Sequence, residues 1–119
     1  ARLVHLARIA HGPAVRLTAE ARDLEQAEAA LDAGADVLLL DNFAAAELGP
    51  VCAALRARAR QLGRAVQLEA SGGIRLENLP QFAASGVDRI SVGALTHSAG
   101  ALDLSLELEP PQRRPGAPA

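Results

Sequence analysis

Residues 33–41 read AGADVLLLD and place a glycine and an aspartate directly before a continuous apolar strand. Residues 85–92, SGVDRISV, repeat this order of small residue, glycine, small residue, aspartate and strand. Gly34 and Gly86 are each suited to end a helix, because glycine readily adopts the left-handed conformation found there. An apolar run such as VLLL is typical of a strand buried on both faces in a parallel sheet. The two segments therefore predict an α/β protein built from repeating helix–strand units.

The same alternation extends to the rest of the chain. Leu3, Leu6 and Ile9 share one face of an expected helix over residues 2–10, and Asp23 is the expected N-cap of a later one. Gly49-Pro50 is expected to delay or kink another helix. We expect strands over residues 14–19, 36–40, 65–69 and 88–92, an edge strand over 102–108, and helices over 24–33, from after Phe43 to about Leu62, and over 76–84. A doubly wound sheet and a (β/α) barrel both fit this order.

Composition excludes several classes of function. The net charge of −2 provides no basic surface of the kind that binds nucleic acid or an anionic membrane, so we expect neither as a partner. A single cysteine excludes an internal disulfide, and no apolar run reaches the roughly 20 residues that span a bilayer. Without lysine, the chain cannot supply a Schiff-base amine. Its 119 residues fit one domain, but Ala1 and the lack of methionine predict a piece of something longer.

Polar or small residues follow each of the four expected strands. Glu20, Asp41, Ser71-Gly72-Gly73 and Gly93-Ala94 follow the strands in turn, with first members 21, 30 and 22 residues apart. The carboxyl ends of parallel strands lie at one edge of a sheet, where α/β proteins build their sites. The arrangement favours a barrel in which two neighbouring strand-to-helix loops hold a phosphate.

Two kinds of chemistry are expected at this edge. Ser71-Gly72-Gly73 leaves backbone N–H groups open to a phosphate oxygen at a helix start, although a tight turn would also need these glycines. Glu20 and Asp41 can bind sugar hydroxyls, a divalent metal or a developing cation. The alternatives are a solvated carboxylate for Glu20 and a helix N-cap for Asp41.

Other candidates have weaker patterns. Glu69 is either an acid supporting the site or a strand-end residue paired with an arginine, and His97 is placed near enough to touch a substrate. Cys52 is expected to be a small buried apolar residue. Asn42-Phe43 is expected to fix a turn and pack its ring on the helix. His5 and His11 are expected at the surface, as is the basic helix face formed by Arg56, Arg58, Arg60 and Arg64.

Three ordered motifs resemble one enzyme family. Residues 38–43 (LLLDNF), 68–74 (LEASGGI) and 86–98 (GVDRISVGALTHS) are similar to those of quinolinate phosphoribosyltransferase, also called nicotinate-nucleotide pyrophosphorylase (carboxylating). Residues 101–106 (ALDLSL) resemble the family's carboxyl terminus. The resemblance implies a TIM-like (β/α) barrel of the type II phosphoribosyltransferases, with four to five of its parallel strands in this chain. Residues 1–108 would be the carboxyl-terminal part of the catalytic barrel and 109–119 a disordered tail.

The family resemblance implies an activity in NAD biosynthesis. Such pentosyltransferases join quinolinate to phosphoribosyl pyrophosphate with Mg²⁺, giving nicotinate mononucleotide, pyrophosphate and CO₂. By this resemblance Glu20 and Asp41 hold the ribose hydroxyls and the metal, and they stabilise the positive charge that develops at the anomeric carbon. Ser71-Gly72-Gly73 and Val92-Gly93-Ala94 bind the 5′-phosphate. A cytoplasmic homodimer or higher homo-oligomer is expected, with the amino-terminal domain of a partner subunit over each site.

The chain departs from the family pattern in two ways. The family usually has an acidic, alternating strand before Glu20, where residues 15–19 here read VRLTA. Its cationic substrate-binding residues lie upstream, and four units are about half of a barrel of roughly 250 residues. We therefore expect the chain alone to be inactive and poorly folded, with strand edges and an apolar sheet face uncovered. A molybdenum-transport-linked paralogue and a non-catalytic truncated remnant stay as alternatives.

Overall fold

The computed structural model describes residues 1–97 and 103–108. In this part of the chain helices and strands alternate from the second residue onward. The elements are α1 (Arg2–His11), β1 (Thr18–Ala21), α2 (Leu24–Asp32), β2 (Val37–Asp41), α3 (Ala45–Gln61), β3 (Gln67–Ser71), α4 (Leu79–Ala83), β4 (Arg89–Ile90) and α5 (Ala94–His97).

The strands of the described residues form one parallel sheet in the order β1-β2-β3-β4. Each strand therefore pairs with the next one along the chain, across a single connecting helix. A doubly wound sheet reverses its strand order at a switch point, whereas a barrel adds each strand beside the last. The observed order resolves the two alternatives in favour of part of a (β/α) barrel.

The apolar core lies between one face of the sheet and the helices. Alternate strand residues face it, because successive side chains of a strand point to opposite faces. Leu31 of α2 and Leu48 and Leu55 of α3 complete it, and all three are fully buried. The core residues contributed by the strands are Ala19, Ala21, Leu38, Leu40, Leu68 and Ala70. Burying this apolar surface holds α2 and α3 against the sheet.

The repeated aspartates form matching clamps at the amino end of the sheet. Asp36 Oδ2 accepts a hydrogen bond from Leu17 N, and Asp88 Oδ2 accepts one from Leu68 N, both at 2.8 Å. Asp36 also accepts a hydrogen bond from the guanidinium of Arg8. Each aspartate thus ties the start of its own strand to the start of the preceding one. This arrangement explains why the order glycine, small residue, aspartate recurs before β2 and β4.

Electrostatic interactions favour the ionised form of both aspartates, Asp36 and Asp88. Partial burial of Asp36 acts to raise its pKa, but the Leu17 hydrogen bond and the Arg8 and Arg64 guanidiniums outweigh burial and hold the pKa below its usual value. The pKa of Asp88 is lowered against the same opposing effect of burial, by Leu68 N and by Arg56, whose Nη2 lies 2.9 Å from Asp88 Oδ1.

Several sequence-based boundaries are wrong. β1 begins at Thr18 instead of residue 14, since β2 offers it no partner before Val37. The expected helix over 76–84 begins only at Leu79, behind a turn that Asn78 stabilises by accepting a hydrogen bond from Arg75 N at 2.8 Å. Gly49-Pro50 does not delay α3, which begins at Ala45.

The carboxyl-terminal predictions have different outcomes. Residues 103–108 have no strand pairing, so an edge strand over 102–108 is wrong for the residues that the structure describes. Leu104, Leu106 and Leu108 are exposed. The predicted tail over 109–119 lies outside the described residues. In residues 1–97 and 103–108, no helix has the length and apolar character needed to cross a membrane.

Candidate functional site at the carboxyl edge of the sheet

The sheet face turned away from the helices carries polar side chains near its carboxyl edge. Glu20 on β1, Leu39 on β2 and Glu69 on β3 are paired in register, and Asp41 is paired with Ser71 one pleat further on. The structure thus brings three of the predicted acids onto adjacent strands. The expectation of an apolar uncovered face is wrong at this edge, because only Leu39 is apolar among these five residues.

An arginine that the sequence analysis did not select joins the two main acids. Arg22, in the turn after β1, lies with Nη2 3.1 Å from Glu20 Oε1 and Nε 3.4 Å from Asp41 Oδ2. The Asp41 side chain is 15% exposed, whereas that of Glu20 is 50% exposed. Two carboxylates from neighbouring strands therefore share one cation. A cation placed two residues after a strand-end acid was the only sequence signal for this contact.

The alternative positions considered for the two acids have different outcomes. Asp41 is not the N-cap of α3, since the cap residue is Ala44. Glu20 is a residue of β1 and not of a loop, and its carboxylate is half exposed to solvent and pairs with Arg22.

Glu69 is held by the neighbouring strand segment. Its Oε1 accepts a hydrogen bond from Ser91 Oγ at 2.5 Å, and its Oε2 lies 3.9 Å from Arg89 Nη1. The arginine pairing expected as one reading is present. The Glu69 side chain is also only 18% exposed and lies on the same sheet face as Glu20. It can therefore stabilise the sheet surface that carries the candidate site.

The glycines after β3 form an open loop. Gly72 and Gly73 have positive φ angles of 94° and 62°, and Asn78 Nδ2 donates to the Gly73 carbonyl at 3.1 Å. A Cβ added to Gly73 would have no neighbour within 4 Å, so that backbone faces free space. Because α4 begins at Leu79, the expected helix start directly behind these glycines is wrong. The loop's backbone N–H groups, and not a helix N-terminus, are therefore what these glycines offer an anion.

The loop after β4 begins beside this glycine loop. Ser91 N donates to the Ala70 carbonyl at 2.9 Å, which joins the two strand ends just before both loops. Val92-Gly93-Ala94 then leads into α5, and Gly93 is exposed. His97 lies at the end of α5, where its contact with a substrate stays a prediction.

The remaining candidates lie in structural settings. Cys52 is 3% exposed within the core, and burial raises the pKa of its thiol, which matches the expected apolar role. His5 and His11 are exposed on α1. Of the basic helix face, Arg56 pairs with Asp88 and Arg58 pairs with Asp32 at 2.9 Å. This face therefore links elements of the fold.

The carboxylates of Glu20 and Asp41 suit a metal ion that a bound substrate also holds. Residues 1–97 and 103–108 contain no group of three or more His, Cys, Asp or Glu side chains that could hold a metal by themselves. Glu20 and Asp41 nevertheless share the Arg22 guanidinium, so they can jointly face one positive charge. Mg²⁺ is commonly bound through one or two carboxylates together with substrate phosphates. These residues fit that form of binding.

Comparison with known families shows to which protein family this sheet and its candidate site belong. Residues 1–107 match the family model described as "Quinolinate phosphoribosyl transferase, C-terminal domain". The chain belongs to this family. The quinolinate phosphoribosyltransferase fold also accounts for the sequential parallel strands, and the resemblance of the three motifs is confirmed.

The chain is similar to named relatives in sequence and in structure. The chain is 46% identical over 102 residues to a nicotinate-nucleotide pyrophosphorylase (carboxylating) of Rattus norvegicus, covering 86% of this chain and 33% of the relative. Its identity to the Homo sapiens protein of that name is 46% over 105 residues, with coverage of 88% and 34%. A nicotinate-nucleotide pyrophosphorylase structure from Francisella tularensis superposes with a TM-score of 0.71 at 32% identity, with coverage of 87% and 35%. The chain thus spans about a third of these quinolinate phosphoribosyltransferase relatives.

Proposed function

We propose that this chain supplies the ribose- and phosphate-binding edge of a quinolinate phosphoribosyltransferase. The full enzyme would transfer the phosphoribosyl group of phosphoribosyl pyrophosphate to quinolinate, with loss of CO₂, to give nicotinate mononucleotide and pyrophosphate. The observation that carries this proposal is the meeting of Glu20, Asp41 and the Ser71–Gly73 loop on consecutive parallel strands. The names of the relatives support the reaction.

The acids act on the sugar. The oxygens of Glu20 and Asp41 accept hydrogen bonds from the ribose hydroxyls and so orient the ring. As pyrophosphate leaves, positive charge develops at the anomeric carbon, and two carboxylates at a fixed edge stabilise that charge more than they stabilise the ground state. Glu69 stabilises the sheet beside these acids through its hydrogen bond from Ser91 and its ion pair with Arg89.

The two glycine loops act on the phosphate. The backbone N–H groups of Ser71-Gly72-Gly73 and Val92-Gly93-Ala94 would donate to the 5′-phosphate oxygens. The positive φ angles of Gly72 and Gly73 support this role, since successive backbone N–H groups in such turns form concave anion sites. Fixing both the 5′-phosphate and the ribose hydroxyls sets the position of the anomeric carbon, which lies across the sugar ring from the phosphate arm.

Magnesium would be bound together with phosphoribosyl pyrophosphate. Glu20 and Asp41 would hold it through one or two carboxylates, together with substrate phosphates and water. When bound, the ion neutralises charge on the leaving pyrophosphate. The chain's own residues hold the sugar and the phosphate in place.

Quinolinate and pyrophosphate need cations beyond those at this edge. Quinolinate carries two carboxylates, and Arg22 and Arg89 near this edge already pair with acids of the sheet, so we infer that residues outside the chain complete the acceptor site. We infer a homodimer or higher homo-oligomer in which a partner's amino-terminal domain covers the site. We infer a cytoplasmic location for the full enzyme, where membranes would retain its negatively charged substrates.

Product formation tests the proposal. Full-length protein given quinolinate, phosphoribosyl pyrophosphate and Mg²⁺ should form nicotinate mononucleotide with equimolar CO₂. Asp41→Asn should lower kcat/KM by about 10²- to 10³-fold, as loss of a charge-stabilising group does. The control, Asp32→Asn, makes the same change at an exposed residue paired with Arg58 and should keep nearly full activity.

Two results would contradict the proposal. A correctly folded full-length protein without turnover would favour the non-catalytic remnant or the molybdenum-transport-linked paralogue. Full activity of the Asp41→Asn enzyme would remove Asp41 from the reaction.

A further inference from the structure

Asn42 has an unusual backbone at the point where the acid and the glycine loop meet. Among residues 1–97 and 103–108 it is the one non-glycine residue with a positive φ, at 60°. That left-handed conformation is unfavourable for a residue with a Cβ, although asparagine tolerates it better than most. Such a conformation persists only where the surroundings hold it.

Asn42 contacts both neighbouring strand ends. Its backbone N donates to the Ser71 carbonyl at 2.8 Å, and its Nδ2 donates to Asp41 Oδ2 at 2.8 Å. Arg22 also contacts Oδ2 of Asp41. Within the described residues both partners of this carboxylate thus use the same oxygen, which leaves Oδ1 for a ligand.

The side chain of Asn42 also lies directly on Gly72. A Cβ at Gly72 would lie 2.3 Å from Asn42 Oδ1, 2.7 Å from its Cγ and 2.8 Å from its backbone N. None of these distances is tolerable for real atoms, so Gly72 must lack a side chain for the two loops to approach. The carboxamide therefore separates Asp41 on one side from the glycine loop on the other.

We propose that Asn42 is a positioning residue that couples the Asp41 carboxylate to the Ser71–Gly73 loop. The inference rests on the proposed function, in which those two groups bind the ribose hydroxyls and the 5′-phosphate of one molecule. By holding both groups in a single arrangement, Asn42 lets a ribose 5-phosphate unit bind without first ordering either side. The two hydrogen bonds hold Asn42 at its positive φ.

Binding of ribose 5-phosphate to the full-length protein tests this role. The probe carries the hydroxyls and the phosphate but needs no turnover, so calorimetry measures it even if the transfer reaction fails. Asn42→Gly keeps a residue that accepts φ near 60° without steric strain and removes the side chain with its carboxamide. We expect its dissociation constant to rise about tenfold, as for a lost hydrogen bond to a charged group. The KM for phosphoribosyl pyrophosphate should rise similarly, with the KM for quinolinate unchanged.

A double-mutant comparison isolates the contact with Gly72. Gly72→Ala should strongly weaken ribose 5-phosphate binding in the wild-type background. In the Asn42→Gly background the Oδ1 and Cγ contacts are gone, so the same alanine should weaken binding by a smaller factor. Gly63→Ala is the matched control, because Gly63 has φ of 63° but nothing within 4 Å of an added Cβ.

The outcomes separate this inference from the proposed function. The coupling would be overturned if Asn42→Gly bound ribose 5-phosphate with the wild-type dissociation constant, or if Gly72→Ala had the same effect in both backgrounds. Neither result would contradict the proposed transfer reaction. Ribose 5-phosphate binding without turnover would overturn the proposed reaction and leave Asn42 its role. No binding of ribose 5-phosphate to the wild-type protein would overturn both.

Discussion

At the scale of single residues, Arg22 sets the charge of the site edge. Its guanidinium lies between Glu20 and Asp41 and is 70% exposed, so it is held by the two acids and not by packing. A metal ion shared by those acids has to compete with it. Arg22 is therefore expected to affect the Mg²⁺ concentration that the proposed reaction needs.

Arg22→Ala in the full-length protein should reduce the Mg²⁺ requirement. An exposed ion pair contributes about 0.5–1 kcal/mol, which corresponds to a two- to fivefold lower Mg²⁺ concentration at half-maximal rate. Rates measured over a Mg²⁺ series at fixed phosphoribosyl pyrophosphate give this value. Arg16→Ala removes the same charge at the opposite edge, where Arg16 bonds to Gln67. A higher Mg²⁺ requirement in Arg22→Ala would show that the arginine assists binding instead.

Individual residues also show which features of the fold and the site can be predicted from the sequence. The strand ends carrying Glu20 and Asp41 were predictable, because Asp41 closes a run of apolar residues and the spacing matched one unit. The start of β1 was not, since it depends on where β2 supplies partners. Arg22 was missed for the same reason: only pairing of β1 with β2 brings it to Asp41. Pro80 is suited to a first helical turn and could have predicted the late start of α4.

At the scale of elements, the aspartate clamps stabilise the sheet through ionised carboxylates. Asp36 and Asp88 have pKa values below their usual value in the folded chain. Each therefore stabilises the fold above its unfolded pKa of about 3.9, and this contribution disappears as pH falls through the lower folded pKa. Acid should loosen the amino end of the sheet before it disturbs the apolar core.

Asp36→Asn should reveal this dependence. At pH 7 we expect the free energy of unfolding of the full-length protein to fall by about 1 kcal/mol, as for a partly exposed ion pair with its hydrogen bond. The difference from wild type should shrink as pH falls below about 4, because the unfolded aspartate is then protonated before the native carboxylate, whose pKa is lower. Urea denaturation across that pH range measures it, with the exposed Asp103→Asn as control. A difference that stays constant with pH would contradict an electrostatic clamp.

At the scale of the whole molecule, one helix face and both edges of the sheet lack a partner within the described residues. Leu3, Leu6 and Ile9 share one face of α1 as predicted, yet they are 81%, 50% and 69% exposed. β1 and β4 are the edges of the sheet and each pairs on one side only. A barrel closes its sheet and covers such helix faces. Four units have enough apolar surface for a core on one side of the sheet but not for closure.

The 119-residue chain on its own should therefore associate. Exposed apolar faces and open strand edges both favour contact between copies, so its sedimentation coefficient should increase with concentration. Leu3→Gln with Ile9→Gln should reduce this association, because the pair removes most of the exposed apolar face of α1. Leu62→Gln, at the end of α3 and 38% exposed, should leave it unchanged. A monomer with sharp, dispersed amide NMR signals at all concentrations would show that the polar site face and the helix-covered core are sufficient for a stable fold.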